Sequence, residues 1–408
     1  MGEGLAMWST IKESWTVFFA TYRHELKLIL RDAGVLIILF GASLFYPIVY
    51  TYAYSKEVVN DIDIAVVDLN NSKSSRDAVK MFDATPQMVV AYHVDNFERA
   101  RELFYDGKVH GLIVIPPDFE KKVLRGEQST ITAYADATYF MIYKQILLGA
   151  IQVTTTMGAK VEVAKLMQKG VDMQKALAQS QPITVATSYL FNPAAGYASY
   201  AMPAIFILIL QQTLLLSIGM LGGTNREKNR KYFYLDRAID SRHAAAVLWG
   251  KALSFITLHV FNILYMFVII YNIFDLPHKG NPLDVALFML PYLLAVSFMG
   301  IAIATLIKKR ENSLIFMFFT SIPFIFLSGL SWPTAEIPLV LQKVALLIPS
   351  TTAIQGFLRI NTMGAGIHYV SEEFIKLCLL MLFYFVVALA VVKYRIYKNN
   401  IDHKSDIE

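Results

Sequence analysis

The stretch SGLSWPTAEIPLVLQKVALLIPSTTAIQGFLR, residues 328–359, is apolar enough to enter a membrane but poorly suited to crossing one. Between Pro333 and Pro349 there are about 16 residues, roughly 24 Å of helix, against a hydrocarbon core of about 30 Å. Glu336 would cost about 2–3 kcal/mol at mid-bilayer, and Pro338 lacks a backbone donor. The pattern therefore favours a short helix that lies at or dips into one face of the membrane.

Backbone that is not helical is tolerated at membrane depth only where protein or water covers it, so a re-entrant segment over residues 331–359 would line a pathway. A membrane-surface loop with no direct role is the alternative interpretation. The candidate gate consists of the tryptophan, glutamate and prolines of this segment: Trp332, Pro333, Glu336, Pro338 and Pro349.

The composition of the whole chain is that of an integral membrane protein. Its 408 residues are 55% hydrophobic and 17% charged, and the mean hydropathy is +0.46, values that are rare in soluble domains. The net charge of +5 comes from basic residues at the ends of apolar segments, which argues against nucleic-acid binding. Because Cys378 is the single cysteine, an intrachain disulfide and a cysteine metal cluster are excluded.

Six apolar segments predict six transmembrane helices. Basic residues cluster beyond alternate ends of these segments, and the positive-inside rule then predicts that both termini are cytoplasmic. Residues 191–393 would hold helices two to six and residues 394–408 a cytoplasmic tail. The predicted spans are 33–54, 202–223, 247–274, 285–307, 314–330 and 374–392.

Residues 1–32 predict an amphipathic helix at the cytoplasmic membrane interface. Apolar residues recur at steps of three and four from Trp8 to Ile29, while Lys12 and Arg23 lie away from that stripe. A soluble helix docked on another domain would show the same pattern. No short apolar segment with a cleavage site precedes the first span, so we expect that span to be retained.

Residues 55–190 predict an extracytoplasmic α/β domain inserted between the first and second spans. Strands alternate with helices, which indicates a small, mostly parallel sheet, and long helices then lead back to the membrane. Asp95 followed by Glu98 predicts a capping box for the helix over residues 97–105. The predicted strands are 62–67, 88–94, 111–115 and 130–135.

The sequence offers little catalytic chemistry. It contains no P-loop, HExxH or GxSxG pattern, so we predict that the chain is not an enzyme and that any ATP is hydrolysed elsewhere. Asp68 and Asp136 follow predicted strands, where α/β folds often bind ligands, and His93 and His110 lie in the same domain. We favour the interpretation that the two aspartates stabilise turns or cap helices and that the two histidines lie on the surface.

The polar side chains within the predicted spans are amides and a histidine rather than acids. A proton or ion relay normally needs buried acidic residues, so interhelical hydrogen bonding is the favoured role and a secondary transporter is disfavoured. The residues concerned are Gln211, Gln212, His259 and Asn262.

A membrane protein without a nucleotide-binding motif or buried acidic residues would need energy from a partner. The loop NREKNRKYFYLDRAIDSRHAAAVLWGK, residues 225–251, is the candidate contact site for that partner. It is long, strongly charged, predicted to be cytoplasmic, and carries aromatic residues among its charges, which suits a partner's groove. A loop that merely touches lipid headgroups is the alternative. The candidate partner-contact residues are Arg226, Glu227, Lys228, Arg230, Lys231, Tyr232 and Phe233.

Several strings together resemble the permease subunits of type-2 ABC exporters, in the branch with a large extracytoplasmic domain between the first two spans. The resemblance covers nearly the whole chain. The strings are IAVVDLNNSKSSRDAV (64–79), GKVHGLIVIPPDFEKKVLRGE (107–127), YADAT (134–138), YLFNP (189–193), SYAMPAI (199–205), SGLSWPTAEIP (328–338) and LLIPSTTAIQGFLRI (346–360).

The resemblance implies two permeases that form the pathway, as a homodimer or a heterodimer, in a bacterial inner membrane. It also implies two cytoplasmic ATPase subunits, which bind the ATP and Mg²⁺ and press on the first cytoplasmic loop of each permease. Some relatives also join a periplasmic adaptor and an outer-membrane channel. We therefore predict an exporter of hydrophobic or amphipathic compounds; a membrane receptor or scaffold acting through the α/β domain is the alternative.

Overall fold

A computed structural model describes residues 2–183, 188–228 and 240–405. The chain divides into two compact units, a membrane-type unit (Met1–Glu57 and Tyr189–Glu408) and an α/β unit (Val58–Ser188). In chain order the helices are α1 (Gly2–Arg31), α2 (Ala33–Ala53), α3 (Lys73–Asp83), α4 (Phe97–Tyr105), α5 (Phe119–Arg125), α6 (Phe140–Gln168), α7 (Met173–Ser180), α8 (Tyr197–Glu227), α9 (Ser241–Ile273), α10 (Pro282–Ala304), α11 (Arg310–Leu327), α12 (Leu339–Ala345), α13 (Pro349–Phe357) and α14 (Ser371–Ser405).

Six helices in the described part of the chain are long and apolar enough to cross a membrane, namely α2, α8, α9, α10, α11 and α14. This number agrees with the number of spans that the sequence predicts. Helix α8 lies at the centre, with 89% of its apolar stretch buried, and α10 packs beside it, where the buried Tyr292 hydroxyl donates to the Ile207 carbonyl at 2.7 Å. Helix α11 is peripheral, with 6% of its stretch buried.

Helix α1 packs along the first half of α9. The Ser14 hydroxyl lies 3.0 Å from His243 Nδ1, and the Tyr22 hydroxyl donates to Thr257 at 3.1 Å. The apolar stripe predicted for α1 is only partly buried by this packing, since Trp15 is 58% exposed. Placement of α1 at a membrane interface stays a prediction.

The segment at residues 331–359 contains a 3-10 turn at Thr334–Glu336 and two short α-helices, α12 with 7 residues and α13 with 9, the second of which continues into a π-helical turn at Leu358–Thr362. Neither is long enough to cross a bilayer, which needs about 20 residues. Proline fixes the start of each helix: Pro338 immediately precedes α12, and Pro349 is its counterpart at the first position of α13. This is where proline is best tolerated, because the first helical N–H groups have no partner within the helix. Re-entry into a membrane stays a prediction.

The α/β unit contains a four-stranded sheet in the order β2-β1-β3-β4. The parallel neighbours of β1 are β2 and β3, joined through helical crossovers, while β4 runs antiparallel to β3. One sheet face packs on α3 and α6 around Phe82 and Ile146, and the other packs on α4 around Leu103. The strands are β1 (Ile62–Asp68), β2 (Met88–Val94), β3 (Gly111–Ile115) and β4 (Thr132–Ala135).

The capping box predicted at Asp95 is wrong by one residue. Asn96 is the N-cap of α4, and its side-chain oxygen accepts the Arg99 N–H at 2.8 Å. Glu98 pairs instead with Arg101 on the helix surface. Both Asp and Asn are favoured N-cap residues, so side-chain type alone could not decide between Asp95 and Asn96.

Candidate functional site

Polar residues at the ends of the candidate spans meet at one end of the membrane-type unit. We call this region the basic end. It contains the residue before α2, the last turn of α8, the connection from α10 to α11 and the last part of α14. Its members are Asp32, residues 224–228, residues 305–310 and Arg395.

A bidentate ion pair between Asp32 and Arg310 joins α2 to α11. The two carboxylate oxygens accept from the guanidinium at 2.8 and 3.0 Å, and Thr224 of α8 accepts a third hydrogen bond at 3.1 Å. Burial alone would raise the pKa of Asp32, but hydrogen bonds from Arg310 and from the Val35 N–H outweigh it and hold that pKa below its usual range. Gly34 leaves room for the guanidinium, which a Cβ would overlap.

Arg226 binds the backbone just beyond the end of α10. Its guanidinium donates to the Ile307 carbonyl at 2.7 Å and also to the Thr305 carbonyl. The Thr305 carbonyl accepts in addition from Arg395 of α14 at 2.9 Å. The last carbonyls of a helix have no partner within it and attract cations. Two arginines therefore fasten the end of α10 to α8 and α14.

Glu227, the last residue of α8, accepts the backbone N–H of Arg310 at 3.1 Å, at the start of α11. Helices α8 and α11 approach closely at Gly223, where an added Cβ would lie 2.6 Å from the backbone nitrogen of Arg310. A carboxylate beside a helix N-terminus is favourable for the helix dipole. The end of α8 thus holds the beginning of α11.

The structure gives two of the predicted partner-contact residues, Arg226 and Glu227, contacts within this chain that sequence reasoning missed. Lys228 is exposed at the end of α8. The predictions at Arg230, Lys231, Tyr232 and Phe233 fall outside the described residues. Contact of all seven residues with an ATPase stays a prediction.

A second ion pair, also missed in the sequence, joins α1 to α9. Lys251 donates to Glu25 at 2.6 Å, and the two side chains are 3% and 7% exposed. Gly250 makes the close approach possible, since a Cβ there would lie 2.9 Å from the Phe18 carbonyl oxygen. The available signal was the position of Glu25, one turn from Ile29 on the face of α1 that also carries Thr21.

At the opposite end of the membrane-type unit, Glu57 supplies the N-terminal cap of α8. Its carboxylate accepts the Ser199 hydroxyl at 2.6 Å and the Ser199 N–H at 3.1 Å, while its carbonyl accepts the Tyr197 N–H at 2.9 Å. Gly196 is the N-cap residue of α8 and has no side chain to cap the helix. A Cβ at Gly196 would overlap the Glu57 carboxylate. The chain beyond α2 is thereby tied to the start of α8.

Interior polar residues make the predicted interhelical hydrogen bonds. Asn262 donates to the Leu39 carbonyl at 2.8 Å, within a π-helical turn of α2. Gln211 accepts the Ser350 N–H at 2.9 Å in the first turn of α13. His259 lies 3.4 Å from the Thr213 hydroxyl. For Gln212 the described residues provide no partner for the side-chain oxygen.

The four candidate residues of the α/β unit do not form one site. Asp68 accepts the N–H groups of the following turn and the Ser75 hydroxyl at 2.6 Å. The Thr138 hydroxyl and N–H lower the pKa of Asp136, and His110 lies 3.9 Å from that carboxylate. His93 is exposed on β2. Within the described ranges no group of three or more His, Cys, Asp or Glu residues could hold a metal ion.

The five residues of the candidate gate differ in their exposure to solvent. Four of them are exposed on the surface of the membrane-type unit, and Trp332 is 58% exposed. Pro349 is buried beside Gln211. The exposed members are Trp332, Pro333, Glu336 and Pro338.

Fold and site define a polytopic membrane protein whose span ends are joined by ion pairs and by arginines bound to helix ends. Among known families, the model described as "ABC-2 family transporter protein" matches residues 33–390. The chain belongs to this family, which confirms the resemblance. ABC-2 permeases work with an ATPase subunit in ABC transporters.

Curated relatives match most of the chain at low identity. The inner membrane transport permease YhhJ of Escherichia coli K12 is 24% identical over 90% of this chain and 94% of its own length. The probable multidrug ABC transporter permease YbhS of the same organism is 23% identical, over 83% and 86%. The linearmycin resistance permease protein LnrN of Bacillus subtilis 168 is 23% identical, over 84% and 90%.

Proposed function

We propose that this chain is the permease subunit of an ATP-driven exporter in a bacterial inner membrane. Its cargo would be a hydrophobic or amphipathic compound moved outward, which the names of the multidrug and linearmycin-resistance relatives support. The inner membrane is supported by the name of YhhJ. The chain itself would need no cofactor, since ATP and Mg²⁺ would bind to the separate ATPase subunit.

In this proposal the basic end faces the cytoplasm. Both termini then lie on the cytoplasmic side and the α/β unit is extracytoplasmic. The support is the distribution of charge, because cytoplasmic ends of transmembrane helices carry an excess of Lys and Arg. Arg226, Arg310 and Arg395 all belong to the basic end, whereas Glu57 closes the other end.

The observation that carries the proposal is the hydrogen-bonded network of the basic end. Residues 229–239 follow directly on α8, whose last residues Arg226 and Glu227 bind the end of α10 and the start of α11. Arg310 continues the network to Asp32 before α2. A force that an ATPase applied to this loop would therefore be passed to several spans together rather than to one.

A second permease, identical or related, would complete the pathway, and residues 331–359 would form its gate. The exposed position of Trp332 and Glu336 supports a gate because these side chains are available to line a pathway. In a double-membrane bacterium, a periplasmic adaptor and an outer-membrane channel would extend the route.

Copurification in mild detergent tests the partnership. Deletion of residues 230–236 removes the middle of the predicted docking loop, and we expect it to abolish recovery of the ATPase subunit while the chain still reaches the membrane. The matched control is Lys279→Gln, a basic residue in the connection between α9 and α10, which should leave recovery unchanged. Undiminished ATPase recovery after the deletion, or a lone wild-type chain across several detergents, would contradict the proposal.

The receptor or scaffold alternative has its own test. Alanine replacement of Asp68, Asp136, His93 and His110 removes every candidate ligand-binding group that the sequence identified in the α/β unit. An exporter should retain transport after this replacement, measured as resistance of cells to amphipathic compounds. Loss of resistance with normal expression would favour the alternative.

A further inference from the structure

A pocket of about 310 Å³ opens between α9 and α14 at the basic end. Its walls come from the start of α9 and from consecutive turns of α14. The lining residues are Ser241, Arg242, Lys393, Tyr394 and Tyr397. None of them takes part in the ion pairs and carbonyl contacts of the Asp32–Arg310 network.

The pocket carries positive charge. Arg242 donates from Nε to Asp240 at 2.7 Å, and its side chain is 77% exposed, so part of the guanidinium still faces the opening. Lys393 makes no ion pair with any residue in the described ranges. Among the side chains that the structure describes around the pocket, one aspartate opposes these two cations, which leaves positive charge for an anionic ligand.

The sequence around the pocket predicts that it lies at the headgroup level of a bilayer. The uninterrupted apolar run of α14 ends at Val392, directly before Lys393, and Ser241 is the first residue of the candidate span in α9. Tyr394 and Tyr397 are 62% and 63% exposed, and tyrosine is enriched at membrane–water interfaces. We therefore expect these ends of α9 and α14 to lie at the level of the lipid phosphate groups.

An exposed apolar stripe leads along α14 to the pocket. Its residues recur at steps of three and four, the spacing of one helix face. The stripe from residue 379 to residue 393 is about 21 Å long, more than the roughly 15 Å of one hydrocarbon leaflet. Its exposed members are Leu379, Leu382, Phe383, Val386 and Ala390, followed by Lys393 and Tyr394.

We propose that this pocket binds the phosphate group of an anionic phospholipid. Lys393 and Arg242 contact the phosphate oxygens, the hydroxyls of Tyr394 and Tyr397 bind the glycerol part, and the acyl chains lie on the α14 stripe. A soluble phosphate compound would share the phosphate chemistry but would leave the apolar stripe unused. This inference concerns a lipid site and does not depend on the direction or cargo of transport.

Native mass spectrometry of the purified full-length chain, titrated with dioleoyl phosphatidylglycerol or dioleoyl phosphatidylcholine, tests the site. We expect one phosphatidylglycerol per chain to bind at least 10-fold more tightly than phosphatidylcholine. The double variant Lys393→Gln/Arg242→Gln removes both charged contacts and should lose at least that factor of about 10, so that it binds phosphatidylglycerol no more tightly than phosphatidylcholine. Lys393→Glu should weaken binding further, because it places a negative charge against the phosphate.

The control is Lys376→Gln, at the other end of α14, which should bind phosphatidylglycerol like the wild type. Gel filtration checks the fold of each variant, and the replaced side chains are exposed. Equal phosphatidylglycerol binding by the double variant and the wild type would overturn the site. Displacement of phosphatidylglycerol by a 100-fold excess of glycerol 3-phosphate or inorganic phosphate would overturn its assignment to lipid.

Discussion

At the scale of single residues, the membrane-type unit depends on charged side chains that satisfy helix ends. Glu57 is the clearest case, because it has a positive φ of 58° and places its carboxylate against the first turn of α8. The N–H groups of that turn have no partner within the helix. A cap supplied from α2's end therefore fixes both the start of α8 and the path of the chain.

We expect Glu57→Gln to lower the stability of the membrane-type unit by about 1 kcal/mol, because it removes a charged helix cap but keeps the shape. The measurement is thermal unfolding in detergent, followed by tryptophan fluorescence. Glu372→Gln is the matched control, since that glutamate is 76% exposed and pairs with Lys376 one turn along the same helix. Equal unfolding temperatures for both variants would argue against the cap.

Single residues were also the least predictable scale. Lys251 is separated from Glu25 by 226 positions and Arg310 from Asp32 by 278. No local sequence pattern predicts ion pairs over such distances. Asp32 and Arg310 are visible in the sequence only as charges that flank apolar segments. Which flanking charges meet is decided by helix packing, and packing is not a property of a local stretch.

At the scale of elements, two of the contacts between helices can be tested directly by substitution. One is the Asp32–Arg310 pair, which links α2 to α11, and the other is the approach of α1 to α9 at Gly250. Removing one partner of the part-buried pair leaves a charge without its hydrogen-bonded partner. At Gly250 the limit is steric, because an added Cβ would lie 2.9 Å from the Phe18 carbonyl oxygen. We therefore expect both contacts to be sensitive to single substitutions.

A double-mutant cycle tests the first contact. Asp32→Asn and Arg310→Gln should each reduce stability by about 1–3 kcal/mol, since each leaves a hydrogen-bonded partner unsatisfied. Together they should cost less than the sum, because the second change removes the orphaned charge. Thermal unfolding of the wild type, both single variants and the double variant measures the coupling; strictly additive losses would contradict the ion pair.

The approach of α1 to α9 has a simpler test. Gly250→Ala should destabilise the protein by about 1–3 kcal/mol, because the new methyl group would meet the Phe18 carbonyl oxygen, the Tyr22 backbone nitrogen and the Thr21 Cβ of α1, and none of these atoms can move without the α1 backbone. Gly158→Ala is the control, since the space around Gly158 in α6 is open and alanine favours a helix by up to about 1 kcal/mol. An unchanged unfolding temperature for Gly250→Ala would show that α1 packs elsewhere.

Elements were far easier to predict than their contacts. The span α2 begins at Ala33 as the apolar run does, and the parallel direction of β1, β2 and β3 agrees with the mostly parallel sheet that alternating strands and helices predict. Length and apolarity are local, so they could be interpreted directly. The ends were less accurate: α8 continues four residues beyond the predicted Gly223, because Arg226 and Glu227 are held by neighbouring helices.

At the scale of the whole molecule, we propose that the membrane pathway and the energy for transport come from two different proteins. In that proposal this chain would provide the spans, the network at their basic end and the short helices at residues 331–359, while a separate ATPase would provide the energy. The family and its curated relatives identify a permease. The network explains physically how motion at one loop would reach several spans, since the ends of α8, α10 and α11 are bonded to one another.

The most direct test of this division is transport in vesicles that contain the purified full-length chain, with and without its ATPase subunit. The measurement is uphill movement of a fluorescent amphipathic dye after addition of ATP and Mg²⁺. The proposal predicts accumulation only when both proteins are present and ATP is hydrolysed. Uphill accumulation by the chain alone, with no ATPase in the vesicle, would contradict it.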